Sequence, residues 1–216
     1  EKILRKLESV QMKSSMEIII VDDGSTDNSL KIAKDFIAKS RNNKIAYKLV
    51  SKKNQGKGSA VRRGIKEANG DIITIQDADL EYEPSDFNIL ISAMLKGKSS
   101  VVYGSRFMKK HKPMYRIYYA GNKFLTLLTK MLYNSRITDM ETCYKMFKSE
   151  VIKSIKLESN GFDIEPEITA KILKKGINIY EVPISYNPRK IVEGKKINWK
   201  DGLKAIYTLI KLRFSN

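Results

Sequence analysis

Residues 70–84 read GDIITIQDADLEYEP. Ile72, Ile73 and Ile75 make the short apolar run expected of a buried strand. Asp77 and Asp79 follow one residue apart, and Glu81 comes two positions later. Alternate residues of an extended chain point the same way, so this strand end presents two carboxylates together. Such a pair is a hard-oxygen site for Mg²⁺ or Mn²⁺, and a cation held there would hold substrate phosphates in turn. Taken alone, the motif reads as a polar turn after a strand. The residues around it change that reading.

Upstream, MEIIIVDD (16–23) is a continuously apolar strand, as a sheet buried on both faces requires. STDNSLKIAKDFIAKS (25–40) predicts a helix capped by Ser25 or Thr26, with Leu30, Ala33, Phe36 and Ile37 on one face. KIAYKLVS (44–51) predicts a strand, and GKGSAVRRGIKEANG (56–70) a helix ended by Gly70. Downstream, PSDFNILISAMLKG (84–97) predicts a helix opened by Pro84 and closed by Gly97, and SSVVYGS (99–105) a further strand. The alternation predicts an α/β fold with a mostly parallel sheet and helices on both faces. The second half is less regular. It predicts helices over 115–133, 163–176 and 199–214, a strand at TCYKMFK (142–148), and an edge or bulged strand at INIYEVPISY, which Pro183 interrupts. No repeat or linker divides the 216 residues, so one domain is expected.

Bulk composition narrows the function. Cys143 is the only cysteine, which excludes an internal disulfide and fits a reducing compartment. No run reaches the roughly 18 apolar residues of a membrane span. The 41 Lys and Arg against 24 Asp and Glu give a net charge of +17. This excess suits a polyanion or an anionic surface, and equally a bias toward Lys, Ile and Asn across the chain. No zinc-finger, RNP or helix-turn-helix signature supports nucleic-acid binding, so nucleic acid is not an expected partner. His111, the only histidine, lies in the basic loop with Lys109 and Lys112 and reads as solvated.

Ligands of open α/β sheets bind beyond the carboxyl ends of the strands. Three strands end in suggestive chemistry there: VDDGSTD (21–27), QDADLE (76–81) and YGSR (103–106). Asp22 and Asp23 can cap the following helix or accept hydrogen bonds from a base or ribose. Gly56 and Gly58 in NQGKGSAVRRG (54–64) let backbone approach a ligand, at a helix N-terminus that favours anions. The segment is neither a Walker A loop nor a Gly-x-Gly-x-x-Gly fingerprint. Arg106 is placed to fork a phosphate beside the carboxylates.

In this order VDDGSTD, NQGKGSAVRRG, GDIITIQDADLEYEP and YGSRF resemble the family 2 glycosyltransferases of the GT-A fold. YR…GN, ITDMETCYKMF, GFDIEPEITAKI, YEVPISY and EGKKINWKDG resemble its branch of dolichyl- and undecaprenyl-phosphate sugar transferases, the mannose synthase type. The resemblance implies a GT-A (Rossmann-like) fold with a nucleotide-sugar-binding half over 1–106 and an acceptor-side half over 107–216. It implies that Asp22, Asp23, Asn54, Gly56, Lys57 and Asp77 meet the nucleotide, and that Asp77, Asp79 and Glu81 hold Mg²⁺ or Mn²⁺. Arg106 and Arg116 would bind the acceptor phosphate, and Arg189 with Lys195 or Lys196 would close over the phosphates. Asp139 stands where many members carry a catalytic carboxylate. The implied reaction is inverting transfer of one sugar, from GDP-mannose or a UDP-hexose, to a polyprenyl phosphate at the cytoplasmic membrane face. With a hydroxyl acceptor instead, Asp139 becomes the general base. The family's first strand is not in the sequence, and residues upstream of Glu1 are expected. Gln-x-x-Arg-Trp, the mark of processive synthases, is missing too, which implies a single transfer. Helices 115–133 and 201–214, with Lys and Arg beside apolar residues, are candidates for lying on an anionic membrane. Packing against the sheet is the competing reading of both.

Overall fold

The computed structural model describes residues 1–12, 14–109, 115–189 and 199–215. Helix α1 (Lys2–Ser9) leads into strand β1 (Met16–Asp22), helix α2 (Ser29–Lys39), strand β2 (Ile45–Ser51) and helix α3 (Lys57–Glu67). Strand β3 (Ile72–Thr74) is short, and its chain runs through the carboxylate segment to a 3₁₀ turn at Pro84–Asp86. Helix α4 (Phe87–Leu95) and strand β4 (Val101–Ser105) follow. The second half holds α5 (Arg116–Tyr133), β5 (Lys145–Lys148), α6 (Ser149–Lys153), α7 (Ile164–Lys174), β6 (Ile179–Pro183) and α8 (Trp199–Phe214).

Strands β1 and β2 pair in parallel, Met16 opposite Ile45 and Asp22 opposite Ser51. A four-stranded sheet runs in the order β3-β5-β4-β6. In it β3, β4 and β6 run one way and β5 alone runs against them. The parallel alternation is therefore interrupted by a strand from the second half, which separates β3 from β4. Strands from both sides of residue 106 thus build one sheet. β6 lies at its edge, where Pro183 costs no ladder bond.

The sheet is covered on both faces, which is why VVYGS is buried at every position. Val101, Tyr103 and Phe147 join Leu125, Ile164, Ile168, Ile172 and Leu209 on the face covered by α5, α7 and α8. Val102, Tyr144 and Met146 join Leu90, Met94, Leu4 and Leu7 on the face covered by α4 and α1. The two-residue alternation of β5 puts Lys145 on the first of these faces, beside Phe147, with no exposed surface.

Two helix ends differ from expectation. Helix α2 starts at Ser29, not near Ser25, because the Asp27 carboxylate accepts the Ser29 N–H at 2.9 Å. Helix α3 stops at Glu67, before Gly70. The Lys153 ammonium donates to the Ala68 carbonyl at 2.5 Å, and Asn69 N–H donates to Glu17 at 2.9 Å, so the chain turns away without using the glycine.

Phe147 is fully buried and meets Tyr103 edge-on at 6.4 Å. Phe147→Ala is expected to lower the unfolding free energy by about 3–5 kcal/mol. Leu95→Ala, at a side chain 74% exposed, should change it by less than about 0.5 kcal/mol. Urea titration of both variants checks the contrast.

Candidate active site

The ends of β1, β3 and β4 and the starts of α3 and α7 bring the charged residues together. At the end of β1, Asp22 accepts the Ser25 N–H at 3.3 Å and the Ser51 hydroxyl at 3.2 Å. Asp23 accepts N–H groups of Gln55 at 3.1 Å and Gly56 at 2.7 Å, and pairs with the Lys52 ammonium. Burial alone would raise the Asp23 carboxyl; Lys52 and the two N–H groups outweigh it and hold the group below the usual range. The Asp23 carboxylate thus shapes the 52–56 loop, the segment that carries Asn54, while the Asp22 backbone carbonyl accepts the Lys52 N–H at its start.

The glycines of that loop lie close to another stretch of backbone. Gly56 has φ +100°, and a Cβ there would stand 2.6 Å from the Asn160 carbonyl oxygen. A Cβ on Gly58 would collide with the Ser159 carbonyl. Ser59 N–H donates to Asn160 at 3.2 Å, so the N-terminus of α3 already meets carbonyl oxygens of the 159–161 segment. Glu167 holds that segment, accepting N–H groups of Glu158 and Ser159. The close approach inferred from the glycines is therefore one of backbone to backbone.

Lys57 reaches forward from the first turn of α3. Its ammonium lies 2.8 Å from Asp77 and 3.0 Å from Glu165. Glu165 also pairs with buried Lys145, which donates in addition to the Thr142 carbonyl. The result is a chain of alternating charge: Asp77, Lys57, Glu165, Lys145. Burial opposes the charged form of Asp77, but Lys57 more than offsets it and keeps the carboxyl low. Neither Lys145 nor Glu165 was singled out from the sequence. The available signal was a lone lysine inside an apolar strand, TCYKMF, and an acid within the buried turn of GFDIEPEI.

Asp79 and Glu81 face a different cation. Leu80 between them has φ 65°, a left-handed conformation uncommon for leucine, and the turn lets Asp79 accept the Glu81 N–H at 3.0 Å. The Arg189 guanidinium lies 2.9 Å from Asp79 and 3.4 Å from Glu81. Tyr186 O–H donates to Glu81 at 3.1 Å, and Asn187 N–H to the Glu81 carbonyl at 2.8 Å, so the 186–189 segment is tied onto the carboxylates. Burial raises the Asp79 carboxyl, and the charges of Asp77 and Glu81 add to the rise despite Arg189.

Among the described residues no three acidic, histidine or cysteine side chains converge as a ready metal cage. Lys57 and Arg189 hold the places a cation would take. The donor set nevertheless suits Mg²⁺ or Mn²⁺: the oxygens are hard, and Asp79 carries a surplus of like charge that a divalent ion would relieve.

Arg106, at the end of β4, pairs with a different acid. Its guanidinium forks Asp139, Nε to Oδ2 and Nη2 to Oδ1 both at 2.7 Å, while its own N–H donates to Asp139 at 3.0 Å. It also stacks on Tyr186, 5.2 Å from the ring centre. Asp139 is fully buried and spends both oxygens on this fork. Glu181 fixes the Asp139 turn by accepting N–H groups of Thr138 at 2.6 Å and Asp139 at 3.0 Å. The pairing has a physical reason: a buried carboxylate without a cation costs several kcal/mol, and Arg106 is the cation at hand. Arg116 is exposed at the first turn of α5 and takes no part in these pairs. Lys195, Lys196 and His111 lie outside the described residues.

A sequence model described as glycosyl transferase family 2 matches residues 1–156. The chain belongs to this family. It is 30% identical over 210 residues to an uncharacterized protein of Methanocaldococcus jannaschii, with 91% of this chain and 87% of that one covered. It is also 30% identical over 220 residues to a dolichol-phosphate mannosyltransferase of Pyrococcus furiosus. That match takes in 98% of this chain but 60% of the Pyrococcus protein, so this chain spans well under the whole of that relative. A dolichyl-phosphate beta-glucosyltransferase of Dictyostelium discoideum is 28% identical over 99% of this chain and 67% of its own length. Among solved structures, glucosyl-3-phosphoglycerate synthase of Mycobacterium tuberculosis, in complex with Mn²⁺, UDP-glucose and glycerol 3-phosphate, superposes with a TM-score of 0.64. The superposition covers 95% of this chain and 82% of that one at 15% identity, which speaks for the fold. The resemblance read from the motifs, a family 2 transferase of the polyprenyl-phosphate branch with a GT-A-type α/β architecture, is the one these comparisons bear out.

Glu141, also missed from the sequence, is a half-buried acid whose Oε1 is shut off from solvent and takes no hydrogen bond. Burial raises its carboxyl to about 7; Lys145, Arg106 and Lys57 pull it down and Glu165 pushes it up. The folded side chain thus keeps its proton up to about 7, whereas the ordinary carboxyl loses it at 4.5. The folded state binds more protons between these values, so this group makes stability fall as pH rises through that window. Glu141→Gln should flatten the slope between about pH 4.5 and about pH 7. Denaturant midpoints across that range, compared with wild type, give the answer; equal slopes would contradict the assignment.

Proposed function

We propose that this chain carries out inverting, metal-dependent transfer of one sugar from a nucleotide sugar, GDP-mannose or a UDP-hexose, to a polyprenyl phosphate at the cytoplasmic face of the membrane. The observation that carries the reading is the carboxylate group Asp77, Asp79 and Glu81, whose partners Lys57 and Arg189 are exchangeable cations. A bound Mg²⁺ or Mn²⁺ would neutralise the departing diphosphate. The relatives named for dolichyl-phosphate transfer, and the fold neighbour solved with Mn²⁺ and UDP-glucose, support the same class of donor and acceptor.

The chain's own residues then have distinct tasks. Asp77, Asp79 and Glu81 hold the cation. Arg189 is released from Asp79 and Glu81 to meet phosphate oxygens. Asp22 and Asp23 hold the 52–56 loop against the nucleotide. A lipid phosphate is already an anion at neutral pH and needs no strong base. That suits this site, because Asp139, the candidate base for a hydroxyl acceptor, is locked in the Arg106 fork. Asp139 is thereby a positioning residue for Arg106. An α-linked donor would give a β-linked product.

Helices α5 and α8 pack on each other, with Tyr133 O–H donating to the Leu209 carbonyl at 2.7 Å. Each buries one stripe, Leu125 and Thr129 on α5 and Ala205 and Leu209 on α8. Each also exposes apolar side chains: Ile117, Phe124, Leu127 and Met131 on α5, and Trp199, Leu203, Tyr207 and Phe214 on α8. Lys123, Lys130, Lys204 and Arg213 stand among them. No helix of the described residues is long and apolar enough to cross a membrane. This pair suits a surface contact with anionic lipid, where a polyprenyl phosphate resides.

Two measurements test these readings. Calorimetry with UDP-glucose, UDP-GlcNAc, GDP-mannose and the free nucleoside diphosphates should show binding of one donor that requires Mg²⁺ or Mn²⁺ and is lost in Asp79→Ala. Binding undiminished by EDTA would sink the metal reading. In flotation assays the chain should rise with anionic vesicles but not with neutral ones. Trp199→Ser with Phe214→Ser should weaken that association by about tenfold. A chain that stays in solution with anionic vesicles would contradict the membrane reading.

A further inference from the structure

Glu81 is buried, and its two side-chain oxygens have different partners. Oε1 accepts the Arg189 backbone N–H at 3.0 Å and faces Arg189 Nε at 3.4 Å. Oε2 accepts the Tyr186 O–H at 3.1 Å. Asp79 is divided in the same way. Its Oδ1 accepts the Glu81 N–H at 3.0 Å, and its Oδ2 lies 2.9 Å from Arg189 Nη2. The oxygens that meet the exchangeable guanidinium are therefore Glu81 Oε1 and Asp79 Oδ2, and the other two are taken up by donors of the fold. A carboxylate oxygen has more than one lone pair, so Oε1 can keep the Arg189 N–H and still meet a cation.

Tyr186 is itself fixed by more than this hydrogen bond. Its backbone bridges Tyr82 in antiparallel sense, and the next residue, Asn187, donates its N–H to the Glu81 carbonyl at 2.8 Å. Its ring packs edge-on to Tyr82, with centres 5.6 Å apart, and the Arg106 guanidinium lies 5.2 Å from the ring centre. Arg106 is in turn held by Asp139. The hydroxyl thus projects from a ring placed by backbone, by an aromatic neighbour and by a locked guanidinium. The terminal torsion of a glutamate is broad, so a carboxylate without such a partner turns readily. With it, Oε2 has a fixed direction, and so does Oε1.

We infer that Tyr186 is a positioning residue for the metal ion: its hydroxyl holds Oε2 of Glu81, so that Oε1 is the oxygen offered, together with Asp79 Oδ2, when a dication replaces the Arg189 guanidinium. This rests on the metal-dependent reading above. Carboxylates that bind metal ions are themselves hydrogen-bonded, and losing such an outer partner costs about tenfold to a hundredfold in metal affinity. A phenol suits the task because it donates one hydrogen bond and adds no charge. The negative charge of Glu81 is left for the incoming ion, which a second guanidinium or an ammonium at that position would oppose.

The test uses the 216-residue chain with Tyr186→Phe, Tyr82→Phe, Glu81→Ala and the double variant Glu81→Ala with Tyr186→Phe. Binding of Mn²⁺, alone and with GDP or UDP, is read from the paramagnetic resonance signal of the free ion, which needs no turnover. Urea unfolding without metal checks that each variant is folded. Tyr186→Phe keeps the ring beside Arg106 and removes only the donor, and Mn²⁺ affinity is expected to fall by about tenfold. Tyr82→Phe removes a hydroxyl of the same aromatic cluster, the one that accepts the Cys143 N–H at 3.1 Å, and should leave Mn²⁺ affinity at the wild-type value. In the Glu81→Ala background Tyr186→Phe should cost nothing further, because the hydroxyl acts through that carboxylate. Unchanged Mn²⁺ affinity in Tyr186→Phe would overturn the assignment and leave the metal reading intact. An equal loss in Tyr82→Phe, or a full further loss on top of Glu81→Ala, would mean a general loosening of the site and overturn it as well. A folded wild-type chain that binds no Mn²⁺ with either nucleotide would remove the metal-dependent reading, and this inference with it.

Discussion

The Lys57 ammonium, 2.8 Å from Asp77 and 3.0 Å from Glu165, ties together parts of the chain far apart in sequence. Asp77 ends the carboxylate strand, Lys57 opens α3, and Glu165 lies in the first turn of α7. A cation placed between a part-buried acid and a buried one lowers the cost of bringing either there. Without it, Asp77 and Glu165 would face each other as like charges in a poorly hydrated site. Lys145 extends the same logic one step deeper, into the core between β5 and α7, where its ammonium also lies 5.1 Å from the centre of the Tyr103 ring. Helix α7 is thus fixed to the sheet by charge as well as by Ile164, Ile168 and Phe147.

This arrangement gives the basic excess of the chain a partial account. Lys52, Lys57, Arg106, Lys145 and Arg189 each answer a carboxylate of the site, so they belong to the fold as much as to any ligand. The lysines and arginines along α5 and α8 are a separate population, set among exposed apolar side chains. Charge counted along the sequence merges the two. The structure separates them by what each cation touches.

The sequence reading reached furthest where the signal was local. The apolar strands, the helices with one apolar stripe and the strand-end acids all follow from neighbouring residues, and each was found near its expected place, with ends that shift by a few residues. Long-range pairings left no such trace. Nothing in TCYKMF says that its strand enters between β3 and β4 and runs against both. Nothing near Arg106 shows that Asp139, 33 positions on, will take its fork. The two glycines of NQGKG were read correctly as places of close approach. What approaches them is the 159–161 backbone, which a pattern of neighbours cannot name.

Each carboxylate of the 77–81 segment has a cation beside it, and that constrains how a ligand can enter. A dication arriving at Asp79 and Glu81 must exchange with the Arg189 guanidinium, because one set of oxygens cannot serve both at full strength. On the proposed reading the exchange is productive. The freed guanidinium carries the geometry that phosphate oxygens accept bidentately, and it starts beside the place where the diphosphate would lie. Arg106 has no such freedom, since releasing Asp139 would leave a fully buried carboxylate unpaired. The two arginines therefore differ in role for a physical reason. Arg189, on a part-buried pair at 2.9 Å and 3.4 Å, is the freer of the two to change partners, whereas Arg106 is held in a buried fork at 2.7 Å.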